Sequence, residues 1–351
     1  MKNKFFKPVD VSLKNRSADI SSRGRKDFNM YKAAILGTGN IARKMAYTLN
    51  EMEGVCLYAV ASRTAEKAEA FAREFGAEKA YGSYEEMASD SEIDLIYIAT
   101  PHSLHAENAL MCLEQGRNVL VEKPFAVNAK QAEEVFAKAR EKRLFAGEAM
   151  WARFKPIQKT LQRLIKEDKM IGEVTCVTAN TGGQLSHVPR LVEPELAGGA
   201  LLDVGIYPLN FASMVIDSEI ERIDSHAVLT DKGVDKQNGF VITYKDGKMA
   251  ILGSSMVSEM DSLGVVYGTD GRIEADYILD IGKITVIKGD WRQVYESPKQ
   301  ISGFEFEVED ALKAIAEGRC ESEVMPHSEV VRMMKIMDGL RKDWGVRYPF
   351  E

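Results

Sequence analysis

Between the apolar run Lys32–Leu36 and an amphipathic stretch that begins at Ile41 stands Gly37-Thr38-Gly39-Asn40-Ile41-Ala42, a G-x-G-x-x-A turn. Few short sequences restrict a fold more. A strand that reverses at once into a helix needs a residue free to take the tight turn, which Gly37 supplies. Gly39 leaves the backbone open to a pyrophosphate, and Ala42 is small enough for the helix to pack on the strand. The phosphates then sit on the unpaired amides at the helix N-terminus. The turn therefore predicts the first βα unit of a parallel sheet, with Gly37, Thr38, Gly39, Asn40 and Ile41 forming a dinucleotide cradle.

The rest of residues 30–150 keeps that rhythm. Apolar runs at Val55–Ala61, Leu95–Ala99, Asn118–Val121 and Phe145–Glu148 alternate with helical stretches at Ile41–Met52, Ala65–Phe75, Ser103–Gln115 and Ala129–Lys142. This is how a doubly wound α/β Rossmann domain reads in sequence. After Trp151 and a helix around Ile157–Lys166 the texture changes. Strands are predicted at Glu173–Thr181, Ile223–Leu229, Gly239–Tyr244, Lys248–Ser255, Gly264–Tyr267 and Arg272–Ala275, punctuated by turns such as Lys245-Asp246-Gly247. Helices near Phe304–Glu317 and Ser328–Trp344 close the chain. Residues 151–351 thus read as an α+β domain with a large, mostly antiparallel sheet for substrate binding, whose second face a partner subunit would cover in a homodimer.

A chain of 351 residues is long enough for two such domains. Its 45% hydrophobic and 28% charged residues are those of an ordinary globular protein. The net charge of −7 argues against a nucleic-acid partner, and no apolar run approaches the roughly 18–20 residues of a membrane span. Cys56, Cys112, Cys176 and Cys320 are scattered singly, so neither a metal site nor a disulfide framework is expected, and the chain reads as cytoplasmic. Residues 1–29 form a basic arm: eight Lys/Arg against Asp10, Asp19 and Asp27 give +5 there and leave −12 for the remainder. The arm has no apolar export segment and reads as disordered.

The end of the second strand, Ala61-Ser62-Arg63, indicates which dinucleotide is taken. An enzyme for NAD normally presents a carboxylate there to the ribose hydroxyls. Here Ser62 can donate a hydrogen bond and Arg63 can pair with a 2′-phosphate, which favours NADP, with NAD as the alternative.

Val121-Glu122-Lys123-Pro124 places a lysine outside the carboxyl end of a strand, where ligands of α/β sheets bind. Together with the glycine turn and Ala99-Thr100-Pro101-His102-Ser103-Leu104-His105, this motif resembles the Gfo/Idh/MocA oxidoreductase family. Glu148-Ala149-Met150-Trp151-Ala152-Arg153-Phe154, His187-Val188-Pro189-Arg190 and Gly198-Gly199-Ala200-Leu201-Leu202-Asp203-Val204-Gly205-Ile206-Tyr207 are most similar to its dihydrodiol dehydrogenase and glucose-fructose oxidoreductase branch.

The resemblance implies Lys123, Asp203 and Tyr207 as catalytic residues and a cis Lys123–Pro124 peptide. It places Thr100, Pro101, His102, His105, Glu122 and Lys123 around the cofactor, and Trp151, Phe154, His187 and Arg190 in the substrate wall. Inositol-type members carry histidine where Tyr207 stands, so an inositol substrate is disfavoured.

The residues argue the same chemistry independently. Hydride can leave a carbinol only if the hydroxyl proton leaves too. A tyrosine, with a pKa of about 10, accepts that proton only beside a cation, for which Lys123 is the candidate. Asp203, four residues before Tyr207, shares its helical face and would orient Lys123. The expected activity is NADP-dependent hydride transfer with a sugar or cyclic diol. The alternatives are a reductase of a sugar-derived ketone or aldehyde, and a non-catalytic NADP-sensing regulator.

Overall fold

The computed structural model describes residues 30–351; the basic arm falls outside them. Its first half runs β1 (Tyr31–Leu36), α1 (Asn40–Glu51), β2 (Val55–Ala61), α2 (Ala65–Phe75), β3 (Lys79–Tyr81), α3 (Tyr84–Ala88), β4 (Leu95–Ile98), α4 (His105–Glu114), β5 (Asn118–Glu122), α5 (Ala129–Lys142) and β6 (Ala146–Ala149). The six strands form one parallel sheet in the order β3-β2-β1-β4-β5-β6. β4 and β6 are buried along their whole length, and β1, β2 and β5 nearly so, as a sheet covered on both faces requires. Winding reverses between β1 and β4, which opens a crevice at the carboxyl ends of these two strands.

The second half continues with α6 (Trp151–Phe154), α7 (Pro156–Lys166), β7 (Val174–Gly182), α8 (Pro189–Val192), a π-helical turn at Leu201–Gly205 and α9 (Ile206–Val215). β8 (Ile220–Leu229), β9 (Asp235–Tyr244), β10 (Met249–Ser255), β11 (Gly264–Gly268), β12 (Gly271–Ala275), β13 (Lys283–Lys288), β14 (Trp291–Glu296), α10 (Glu305–Ala316) and α11 (His327–Trp344) follow. Eight strands make the second sheet, in the order β14-β13-β12-β11-β7-β10-β9-β8. All neighbours are antiparallel except β7 and β10. Helix α9 packs on β7, β10 and β11, and α11 packs on both α5 and β8. One face of this sheet is therefore core. The other leaves Met249, Ile251, Tyr267 and Val294 exposed.

The fold class is the one the sequence predicts, but several elements were not anticipated from it, α6, α8, the π turn and α9 among them. β3 is three residues long and α3 five, too short for a periodicity to register. β13 alternates visibly, whereas β14 is an exposed edge strand whose residues do not alternate in burial.

Gly37 sits at φ +112°, and a Cβ there would stand 2.7 Å from the carbonyl oxygen of Ala99. Gly37→Ala is expected to cost roughly 1–3 kcal/mol of stability from backbone strain and to weaken dinucleotide binding. Urea unfolding and cofactor titration check this; a variant as stable as the parent would show that the turn relaxes.

Candidate active site

The predicted residues lie at one edge of the parallel sheet because each follows a strand. Gly37–Ile41 follow β1, Ser62 and Arg63 follow β2, Thr100–His102 follow β4, Lys123 follows β5 and Trp151 follows β6. Gly39 and Asn40 are exposed, a Cβ on Gly39 would meet nothing within 4 Å, and no side chain caps α1. The first amides of that helix thus face open space, as a phosphate cradle requires. Ser62 is buried, with its Oγ 3.4 Å from Thr38 Oγ1, while Arg63 is exposed. These residues fit a dinucleotide, which when bound supplies a nicotinamide C4 able to take or give a hydride.

The Lys123–Pro124 peptide is cis. Lys123 Nζ reaches across to the π turn, donating to the Asp203 carbonyl oxygen at 2.6 Å and to its carboxylate at 3.2 Å. Local sequence accounts for the free carbonyl. In π winding that oxygen looks to residue 208 for its N–H, and Pro208 has none. Lysine supplies the missing donor. Arg190 Nη1 donates to the same carboxylate at 2.8 Å, and His102 Nε2 lies 3.7 Å from it. Burial would raise the Asp203 pKa, but Lys123, Arg190 and His102 outweigh it and hold the carboxyl well below the usual range.

Tyr207 opens α9 beside this cluster. Lys123 Nζ lies 5.1 Å from its ring centroid, over the ring face, and not on the hydroxyl. The hydroxyl oxygen accepts Trp151 Nε1–H at 3.0 Å, and its own proton has no acceptor among the described residues. Burial, with Glu122 adding to it, pushes this phenol well above its ordinary value. The resting group is accordingly the neutral phenol, where the sequence had suggested a cation-stabilised phenolate. Glu122 in turn accepts from the hydroxyl of Tyr97 and from the backbone N–H of Lys123 at 3.1 Å.

Other predicted residues are placed differently. His105 is fully buried, its ring nitrogens 2.8 and 2.9 Å from the carbonyl oxygens of Pro124 and Thr100. A neutral imidazole donates through one ring nitrogen only, so the ring hydrogen-bonds one of these carbonyls and packs against the other. Burial brings its pKa down to about 4. Thr100 is buried and accepts from Asn108 at 3.0 Å, and Pro101 is half-buried beside it. Of the proposed wall, Trp151 and Arg190 join the cluster. Phe154 packs into the core, and His187 is exposed with no partner among the described residues. His102 on Asp203 and the Trp151–Tyr207 contact had no signal in spacing, since they join positions far apart in the chain.

Residues 31–148 match the family model described as "oxidoreductase family, NAD-binding Rossmann fold", and residues 159–274 match the GFO/IDH/MocA C-terminal domain. The chain belongs to the Gfo/Idh/MocA family. It is an NAD(P)-dependent oxidoreductase. It is 34% identical over 328 residues to trans-1,2-dihydrobenzene-1,2-diol dehydrogenase of Xenopus tropicalis, covering 91% of this chain and 99% of that one. The human protein of the same name is 33% identical over 83% of this chain and 89% of its own. Among solved structures, a 3-ketoreductase from Actinomadura kijaniata in complex with NADP and TDP-benzene superposes with a TM-score of 0.82 at 23% identity, covering 90% of this chain and 98% of that one. An aldose-aldose oxidoreductase from Caulobacter crescentus superposes with a TM-score of 0.81 at 21% identity, with the same coverage. No helix among the described residues is long and apolar enough to cross a membrane, and no group of their His, Cys, Asp or Glu side chains is arranged to hold a metal.

Glu148, on β6 behind Lys123, is buried and accepts from Phe125 N–H at 2.8 Å. Burial pushes its carboxyl up to about 7 against that hydrogen bond. The folded protein keeps a proton that the unfolded chain releases near 4.5. The stability this confers is present below the unfolded pKa and is lost as the pH rises through the folded one. Glu148→Gln should flatten the fall in stability between about pH 5 and about pH 8 by up to about 3 kcal/mol. Urea unfolding across that range measures it, and curves parallel to the parent's would mean that Glu148 stays ionised.

Proposed function

We propose that this protein transfers a hydride between NADP and a carbinol or carbonyl carbon of a sugar or cyclic diol. Residues 30–150 would hold the cofactor and residues 151–351 the substrate. The observation that carries the reading is the convergence of Lys123, Asp203 and Tyr207 at the sheet edge. In the carbonyl-reducing direction Tyr207 gives its proton to the substrate oxygen as the hydride arrives at the carbon, and solvent reprotonates the phenolate. In oxidation the substrate hydroxyl gives its proton to the phenolate. Lys123, steadied by Asp203, is near enough to the phenol to polarise the reacting oxygen and to stabilise the anion on either side of the transfer. Arg190, bound to Asp203 yet partly exposed, offers donors to further hydroxyls.

The relatives support the substrate class: their names pair a diol dehydrogenase with an aldose oxidoreductase and a ketoreductase. That ketoreductase has also been solved with one lysine replaced by alanine and with one tyrosine replaced by phenylalanine. The two replaced positions stand as far apart in its chain as Lys123 and Tyr207 do here. The unaccepted proton of Tyr207 specifically favours the second reading, a reductase of a sugar-derived ketone or aldehyde.

For the 2′-phosphate the supporting residues are buried Ser62 and exposed Arg63, with no carboxylate in their place at the end of β2. The open face of the second sheet supports a homodimer. Met249 and Ile251 are 38% and 47% exposed on a central strand, where solvent would ordinarily select polar side chains. Four free cysteines support a cytoplasmic setting.

Nicotinamide absorbance with NADP or NAD, against a panel of aldoses, cyclic diols and keto-sugars, tests the proposal. Tyr207→Phe should lower kcat by roughly 10²–10⁴-fold. Oxidation by the parent should accelerate as the pH rises through the alkaline range, because the phenol is held protonated. Cofactor binding without turnover on any substrate would instead support the sensing regulator. Separately, Arg63→Ala should raise KM for NADP by about tenfold or more and leave NAD unchanged, as expected for loss of one charge-assisted contact. Equal changes for both dinucleotides would remove Arg63 from phosphate recognition.

A further inference from the structure

Lys44, on α1, is half-buried, and its ammonium has neither a hydrogen bond nor an ion pair among the described residues. What it has is two aromatic faces. Its Nζ stands 4.4 Å from the ring centroid of Trp151 and 4.1 Å from that of Phe304. The two rings are 5.1 Å apart and tilted by 47°, so the ammonium sits where α1, α6 and the start of α10 meet. The cage is tight. Gly303 takes φ +91°, and a Cβ on it would stand 3.0 Å from the indole. Lys155, itself buried and paired with Asp280, lies 5.5 Å from the same ring. This indole is the one whose Nε1–H donates to the Tyr207 hydroxyl.

We propose that Lys44 is a positioning residue for Tyr207, acting through Trp151: its ammonium holds the indole in place and strengthens the N–H that the phenol oxygen accepts. The inference rests on the reading of Tyr207 as proton carrier.

A cation over an aromatic face is attracted by the ring quadrupole and draws electron density from it. An indole depleted in this way is a better donor, and polarisation passes along the hydrogen bond to the phenol oxygen. Stronger donation favours the ionised tyrosine. The carboxyl groups facing Tyr207 otherwise disfavour ionisation: Glu122 from β5, Asp203 from the π turn and Glu307 from α10, with Lys123 over the ring as the opposing cation. Lys44 faces Glu122, Glu305 and Glu307, with Lys155 nearby. Neither carboxylate oxygen of fully buried Glu307 has a partner among the described residues. Lys44 is therefore the nearer of two cations over the indole and offsets this acidic surround. It also stands on the helix whose N-terminus forms the phosphate cradle, so the element that seats the cofactor touches the residue that seats the phenol.

Lys44→Met keeps the length of the side chain and removes its charge, Lys44→Arg keeps the charge, and Lys44→Gln serves if methionine prevents folding. A substrate-free measurement comes from the indole N–H resonances of ¹⁵N-labelled protein, since the chain has three tryptophans, Trp151, Trp291 and Trp344. Removing the charge should move the Trp151 signal upfield and leave the other two in place, while arginine restores the parent position. In turnover, the alkaline rise of the oxidation rate should shift to higher pH, with kcat near neutrality falling roughly three- to tenfold, the equivalent of one cation–π contact. KM for NADP should hold within about twofold of the parent over that range, since the contact acts on the proton carrier.

An unmoved Trp151 signal together with a superimposable pH profile overturns the proposal. So does an equal loss for Lys44→Met and Lys44→Arg at every pH, which is what a packing defect would give. Tyr207→Phe in parallel separates the two readings. If it retains turnover, the proton-carrier assignment fails and this inference fails with it. If it loses turnover while Lys44→Met changes neither signal nor profile, only the present inference is lost.

Discussion

The contact between Lys123 and Asp203 ties the end of β5 to the π turn with both side chains largely buried. An isolated carboxylate in that position would cost several kcal/mol, and an isolated ammonium a comparable amount. The pair is tolerable only because Arg190 and His102 complete the shell around the carboxylate and the Asp203 carbonyl takes another donation. The end of β5 and the π turn must therefore arrive in register, or both charges are stranded. A site with this requirement is rigid by construction, and Tyr207, on the next turn, inherits its position from it.

Behind that pair the interior is unusually acidic. Glu122, Glu148, Glu307 and Asp235 are all buried with their carboxyls pushed up, by burial in each case. Asp235 accepts from Leu201 N–H at 2.8 Å, at the opening of the π turn, and so fixes the start of the segment that presents Asp203. Glu122 and Glu148 tie the backbone amides of Lys123 and Phe125. Glu122, Glu148 and Asp235 give up hydration to hold main chain in place, which is a use for carboxyl groups that does not require them to be charged.

Sequence revealed what local periodicity and special backbone positions encode. Gly37, the alternation from β1 to β6 and the Glu-Lys-Pro motif could be read because each obeys a rule within a few residues. Pro208 was equally visible, five positions after Asp203, but its effect on winding could be understood only with a lysine from another strand at hand. His105 shows the opposite failure. Its motif suggested a ligand contact, whereas the fold closes two carbonyl groups around it. The aromatic seat of Lys44 joins three elements separated by more than a hundred residues along the chain, and nothing local marks it.

The one parallel pair of the second sheet, β7 with β10, has a consequence for how the enzyme comes together. Parallel neighbours cannot be linked by a hairpin; the chain must leave the sheet and return. Here the segment that leaves and returns contains α8, the π turn, α9 and the hairpin of β8 and β9, so Arg190, Asp203 and Tyr207 all ride on a crossover connection. Such long-range pairings close late, because the loop entropy is lost before their contacts form. The glycine turn, built from adjacent βα units, belongs to the local part of folding, and the crossover that carries Asp203 and Tyr207 belongs to the non-local part. Refolding is therefore expected to complete the glycine turn before the crossover that carries Arg190, Asp203 and Tyr207.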